Sequence, residues 1–198
     1  MNDQIAGWVQ QTLDGDDNAY SSLVETYQTP VYNLCYRMLS DPQEAEDAAQ
    51  ETFWRAYQSL KTYDPQRSFI TWLLSIAAHY CIDQQRKRRI PVFSLDILPE
   101  ENIRDHSPTP ESATSKNEED LVIHELLQTL NHQDRAAIVL YYWYDLSCEE
   151  IGQALSLSVS AVKSRLHRAR LELAQRWGTN QSTLIYPGSK RYDESPAF

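Results

Sequence analysis

The chain has 198 residues, 41 % of them hydrophobic and 23 % charged, with a net charge of −10. That balance suits a folded chain rather than a wholly disordered one, and only five glycines argue against collagen, Gly-rich linkers and a turn-dense all-β fold. No apolar stretch approaches the ~18–20 residues of a membrane span, and Met1 to Trp8 has neither the basic flank nor the apolar core of a signal peptide. Three widely spaced cysteines (Cys35, Cys81, Cys148) argue against a disulfide framework and read as buried apolar residues. The expected setting is the reducing cytoplasm, with no direct membrane insertion.

The net charge conceals a pattern. Residues 1–60 carry −8 and residues 91–125 carry −7, whereas residues 61–90 and 163–177 each carry +4. Two short basic blocks therefore stand in an acidic background. Screening over ~8–10 Å lets each act locally, while the acidic remainder weakens non-specific DNA binding by the isolated chain.

In chain order, residues 16–40 predict a helix, with Leu23, Val24, Tyr27, Val31, Leu34, Cys35 and Met38 at steps of three and four. Pro30 predicts a kink or break within it. Ser40, Asp41 and Pro42 read as the start of a second helix over about 42–61. Its apolar stripe is Ala45, Ala49, Phe53, Ala56 and Leu60, and Glu44, Asp47 and Glu51 form a separate acidic stripe. A loop over 63–68 leads to a third helix over about 69–89, which ends in Arg86, Lys87, Arg88 and Arg89 and is stopped by Pro91.

Residues 91–117 change character: four prolines mix with Ser, Thr, Asn and acids, as in a linker. Helical periodicity resumes near 118. Asn131 and Asp134 have the N-cap and N3 spacing of a helix running to about 144. Ser147 and Glu150 form a capping-box pair opening a short helix through Ile151, Ala154 and Leu155. After a four-residue break, a longer helix over about 159–176 buries Val162, Leu166, Ala169 and Leu173. Two helices joined this tightly form a helix-turn-helix. Gly152 allows the close crossing, and Ser156 stands where the turn favours Gly. The expected fold is thus all-α: two small helical domains over 1–90 and 118–177, a flexible linker over 91–117 and a tail over 178–198.

The second helix of the pair turns Ser160, Lys163, Ser164, Arg165, His167, Arg168 and Arg170 outward. A helix ~10–12 Å across fits the ~12 Å major groove. Its N-terminal outward residues would meet base edges, and its basic residues would meet phosphates. The other basic block adjoins aromatics: Tyr63, Phe69, Trp72 and His79, then Arg86 to Arg89. Rings beside bases suit unstacked nucleic acid; for Phe69 and Trp72 a plain core role weighs equally. The acidic stripe, with Gln50 and Trp54 beside it, reads as a docking surface for a basic protein partner. It does not read as a metal or catalytic carboxylate site, because no His stands at ligand spacing. No nucleotide fingerprint, nucleophile elbow or zinc pattern occurs. No catalytic residue, metal site or cofactor is expected. His124 and His132 read as surface or cap positions.

Together these residues resemble the bacterial sigma-70 family, in its small extracytoplasmic-function (ECF) group, over about 17–90 and 119–176. Asp41 to Phe53 resembles the region 2 helix that grips the clamp coiled coil of the polymerase β′ subunit, which implies polymerase binding by Glu44, Asp47, Gln50, Glu51 and Trp54. Phe69 to Ala77 resembles the segment leading into −10 element recognition. Glu150-Ile151-Gly152 and Val162 to Arg170 resemble the region 4 helix-turn-helix that reads the −35 element. The resemblance further implies a non-enzymatic transcription factor, contacts with the β flap, an anti-sigma partner and a monomer when free. His79 stands where many members have Asn, and Ser160-Ala161 replaces a frequent Gly-Thr. Two rivals remain open on sequence: a dimeric helix-turn-helix regulator, and a helical metal-dependent hydrolase using the acidic stripe.

Overall fold

The structure, a computed structural model, describes residues 2–89 and 115–180. Most of the expected linker, and the tail beyond Asn180, lie outside the described residues. The elements are α1 (Asn2–Leu13), α2 (Asp17–Leu39), α3 (Pro42–Ser59), a 3-10 turn (Leu60–Thr62), α4 (Phe69–Arg89), α5 (Ser115–Thr129), α6 (His132–Trp143), α7 (Cys148–Leu155) and α8 (Val159–Asn180). No strand occurs among the described residues.

The local signals place the helix starts. Asp16, Asp41, Asn131 and Ser147 are extended N-caps whose side chains accept backbone N–H groups two or three residues on. Ser147 and Glu150 complete a capping box. Four expectations change. Helix α1 precedes the first predicted helix and adds Ile5 and Val9 to the core. Helix α5 begins at Ser115, inside the expected linker, and α8 runs to Asn180, inside the expected tail. Helix α2 continues through Pro30 rather than breaking. A mid-helix proline costs ~3 kcal/mol. Val31, Leu34, Cys35 and Met38, all fully buried just beyond it, bind the distal half of α2 to the bundle and offset that cost.

The N-terminal half packs α1, α3 and α4 around α2. Cys35 and Cys81 are buried there, and Tyr20 donates its hydroxyl hydrogen to the Phe53 carbonyl. The C-terminal half packs α6, α7 and α8 about Ile138, Ile151, Val162 and Leu166. Ser156 ends α7 in the left-handed region at φ 56°. A Cβ on Gly152 would stand 2.8 Å from the Leu157 carbonyl oxygen, so this crossing requires the absence of a side chain.

The two halves dock, with α2 and α4 against α5, α6 and α7. Arg135, only 2 % exposed, sits at this junction. Its guanidinium donates to the carbonyls of Met38 in α2, Gln128 (3.0 Å) and Leu130 (3.3 Å). Tyr144 donates to the Pro30 carbonyl, and the Arg37 guanidinium lies 4.9 Å over the Trp143 ring. His124, expected at the surface, is half-buried instead, 4.2 Å from the Tyr36 ring.

Gly152→Ala is expected to destabilise the C-terminal half by about 1–3 kcal/mol, because the clash is with backbone. A lower denaturation midpoint at unchanged slope in urea would report it.

Candidate nucleic-acid interface

On α3, Asp47, Gln50 and Trp54 are solvent-facing at i, i+3 and i+7, and Trp54 is 58 % exposed, the most exposed large apolar residue described. Glu51 is drawn along the helix to Arg55 at 2.7 Å. Glu44 instead turns to Arg88 of α4, so this pair ties the acidic stripe to the basic helix end rather than leaving both for partners. The acidic residues thus divide between an outward face and an internal strut.

The loop before α4 is built on rings. Tyr63, Phe69 and Trp72 form a triangle with centroids 5.2–5.5 Å apart, and Tyr27 closes on Phe69 from α2. Asp64 accepts the Gln66 N–H, and Tyr63 donates to the Arg67 carbonyl at 2.6 Å, so the turn is pinned from within. Phe69 is 5 % exposed. Of the two roles open to it on sequence, that burial favours the core: Phe69 is the floor beneath Tyr63 and Trp72, which stay half-buried. Burial pushes the Tyr63 hydroxyl above its ordinary value. Two turns beyond Trp72, His79 is exposed, its Nδ1 2.8 Å from the Ser75 carbonyl. Arg86 and Lys87 are exposed at the helix end, and Arg86 lies 3.5 Å from Asp83. The Arg89 side chain lies outside the described residues.

The helix-turn-helix expectation is met by α7 and α8. Ser158 caps α8 by accepting the Ala161 N–H at 3.2 Å, and its hydroxyl touches that of Ser160 at 3.1 Å. Ser160, Lys163, Ser164 and His167 are exposed along one face. The arginines differ from expectation. Arg165 is turned inward, donating at 2.8 Å to Asp134 of α6, with 20 % of its side chain exposed. Arg168 reaches the same carboxylate oxygen at 3.4 Å but stays mostly exposed. Arg170 donates to the Tyr142 hydroxyl at 3.0 Å and lies over the Tyr141 and Tyr142 rings. A helix drawn as a wheel places all three outward; only α6 lying alongside decides which one is held. Asp134 and Arg135 were the residues sequence reading missed. The Asn131–Asp134 spacing marked a cap, and nothing local marked a buried ion pair.

In the docked arrangement the loop and the helix-turn-helix are neighbours. A cleft of about 400 Å³ lies between Asp64, Arg67, Thr71 and Trp72 on one side and Glu150, Gln153 and Ala154 of α7 on the other. Among the described residues no cluster of His, Cys, Asp and Glu could hold a metal ion, and no helix is long and apolar enough to cross a membrane.

Both halves match known families. Residues 23–90 match Sigma-70 region 2, and residues 120–173 match Sigma-70, region 4. These regions define a transcription initiation factor that is not an enzyme. Over 178 residues the chain is 38 % identical to the ECF RNA polymerase sigma factor SigW of Bacillus subtilis, covering 86 % of this chain and 95 % of that one. Two solved structures share the fold. CnrH, in complex with the cytosolic domain of CnrY, has a TM-score of 0.67 at 23 % identity, over 91 % of this chain and 100 % of that one. The sigma factor RpoE of Bartonella quintana, in complex with the anti-sigma factor NepR, has a TM-score of 0.60 at 19 % identity, over 82 % and 98 %. The chain belongs to the sigma-70 family, and within it to the ECF sigma factors.

Docking of the two halves should depend on pH through His124. Burial and the nearby Arg37 cation hold its basicity below the ordinary value of 6.5, with Asp120 acting in the opposite sense. Its buried Nδ1 has no hydrogen-bond partner among the described residues, so a proton there has nowhere to donate. The docked state therefore binds fewer protons than the separated state, and docking strengthens with rising pH. Docking is expected to be complete above about pH 6.5 and to loosen as pH falls below it. Energy transfer between labels on α3 and α8 would follow this, and His124→Gln should flatten the response.

Proposed function

We propose that this ECF sigma factor binds core RNA polymerase through Asp47, Gln50, Glu51 and Trp54 on α3 and gives it promoter choice. The helix α8 reads a −35 element as duplex. The loop from Tyr63 to Trp72, with His79 and the basic end of α4, holds unstacked bases of the −10 element. Unstacking costs a few kcal/mol per base, which stacking and polar contacts in the loop offset. The polymerase performs the chemistry, in the cytoplasm. The observation that carries this reading is the outward face of α8, where Ser160, Lys163, Ser164 and His167 stand exposed on the second helix of a capped helix-turn-helix.

The docked arrangement is a resting form on this reading. Elements centred at −35 and −10 lie about 25 base pairs apart, or ~85 Å of duplex at ~3.4 Å per step. The 25 residues between Arg89 and Ser115 reach at most ~80–90 Å when fully extended. Reading both elements together therefore requires the halves to separate, which a linker of this length permits. An anti-sigma factor that holds the halves together, or covers their DNA faces, blocks this step; a partner of that kind is named for the structurally similar RpoE. Outer residues of region 4 such as Leu121, Tyr142 and Leu171, each about half exposed, suit the contact with the β flap.

The test is initiation by purified chain plus core polymerase on a randomised promoter pool. Recovery of two constrained blocks a fixed distance apart supports the reading, and start sites no different from those of core polymerase alone overturn it. Asp47→Ala combined with Trp54→Ala should weaken polymerase association at least tenfold while leaving the melting temperature unchanged. Lys163→Ala should lower the salt dependence of promoter binding by about one phosphate contact, read as the slope of log K against log salt.

A further inference from the structure

We propose that Asp134, on α6 and outside the helix-turn-helix pair, is a positioning residue for duplex recognition: it selects which arginine of α8 reaches DNA. The inference rests on α8 being the duplex-reading helix.

Asp134 is 3 % exposed, and a buried carboxylate persists only if it is paired and hydrogen-bonded. Its Oδ2 accepts from Asn131 Nδ2 at 2.6 Å, and its backbone N–H donates to Asn131 Oδ1 at 3.0 Å, which fixes the carboxylate at the first turn of α6. Its Oδ1 faces two cations one helical turn apart on α8, Arg165 at 2.8 Å and Arg168 at 3.4 Å. The two contacts are unequal. Arg165 takes the short bond and is mostly buried, so its charge is neutralised inside the domain. Arg168 makes the longer contact with 60 % of its side chain exposed, and a guanidinium has five N–H donors. One edge of Arg168 is thus anchored while the others face solvent, one turn beyond the exposed Ser164. Anchoring lowers the entropy lost when that side chain meets a phosphate or a base edge. Asp134 removes one cation from the DNA face and aims the other.

This predicts an effect with the opposite sign to plain destabilisation. Asp134→Asn keeps the size and the cap acceptor but frees both arginines. Binding to a duplex carrying the selected −35 block should keep its affinity or gain, with a salt slope steeper by about one contact. Preference over a scrambled duplex should fall at least fivefold. Asp134→Glu should recover part of that preference. Removing the strut from the other side gives a second route that leaves the carboxylate in place. In Arg165→Ala, Arg168 is drawn inward to the vacant oxygen, and the slope becomes shallower by about one contact, although Arg165 itself is buried. The double variant Arg165→Ala, Arg168→Ala should then match Arg168→Ala alone.

Measurements use the full chain, with thermal melts run alongside. A purely structural Asp134 would give a lower melting temperature, a uniform loss of affinity and an unchanged slope, and that overturns the proposal. Additive slope losses in the double variant would make Arg165 a direct phosphate contact and overturn it as well. If Lys163→Ala leaves the slope untouched, or no −35 block is selected, the reading of α8 itself fails and the inference falls with it. A normal Lys163→Ala result beside an inert Asp134→Asn rejects this inference alone.

Discussion

The carbonyl of Met38 is the point on which the arrangement turns. It lies in the last turn of α2, where a helix has exhausted its own donors and its dipole leaves partial negative charge. Ser40 closes that helix in the left-handed region and returns its N–H to Tyr36, leaving Met38 for other partners. Gln85 of α4 and Arg135 of α6 both donate to it. The same Arg135 satisfies Gln128 and Leu130 where α5 gives way to α6. One helix end in the N-terminal half therefore supplies the acceptor that makes it acceptable to bury a guanidinium in the C-terminal half. Docking of the halves and closure of the α5–α6 corner are one event, because the same cation serves both.

With the halves docked, α7 borders the aromatic loop and a cleft separates them. The links across the junction are polar and directional: Arg135 to Met38, Tyr144 to Pro30, Gln128 to Ser40. Such bonds contribute about 1 kcal/mol each net of water. Apolar packing joins the halves there too, because one cluster of buried residues runs through both, so opening the junction exposes apolar surface as well as breaking these bonds.

Within each half, charge is allocated before any partner arrives. Glu44 and Arg88 neutralise one another across α3 and α4, Glu51 pairs with Arg55, and Asp134 takes up Arg165. What is left over defines the outward surfaces: Asp47, Gln50 and Trp54 on one side, Lys163 and His167 on the other. The +4 of residues 163–177 overstates the positive surface available to DNA, since one of its arginines is spent inside the domain. A count of charges along a chain treats every ionised group as solvated, and burial removes that assumption.

Much was legible in the residues because it is local. Asp41, Asn131 and Ser147 sit beside the N–H groups they cap, so spacing alone places three helix starts. Gly152 and Ser156 mark the tight crossing of α7 and α8, since the steric demand lies within a few residues. The helix α1 escaped because Ile5 and Val9 form only a short apolar stripe, meaningful once α2 covers it. Pro30 does not break α2, because the local cost of a proline is real but the four buried residues beyond it that hold the helix act across the bundle. The sequence by itself determined most of the helices, three of their caps, the two-module order and the family to which the chain belongs. Tertiary structure alone decided that Phe69 is a floor rather than a stacking face, that Arg165 turns inward while Arg168 stays out, and that His124 is enclosed. Each of those outcomes depends on a neighbour distant in the chain, and periodicity says which face of a helix is covered but not which atom does the covering.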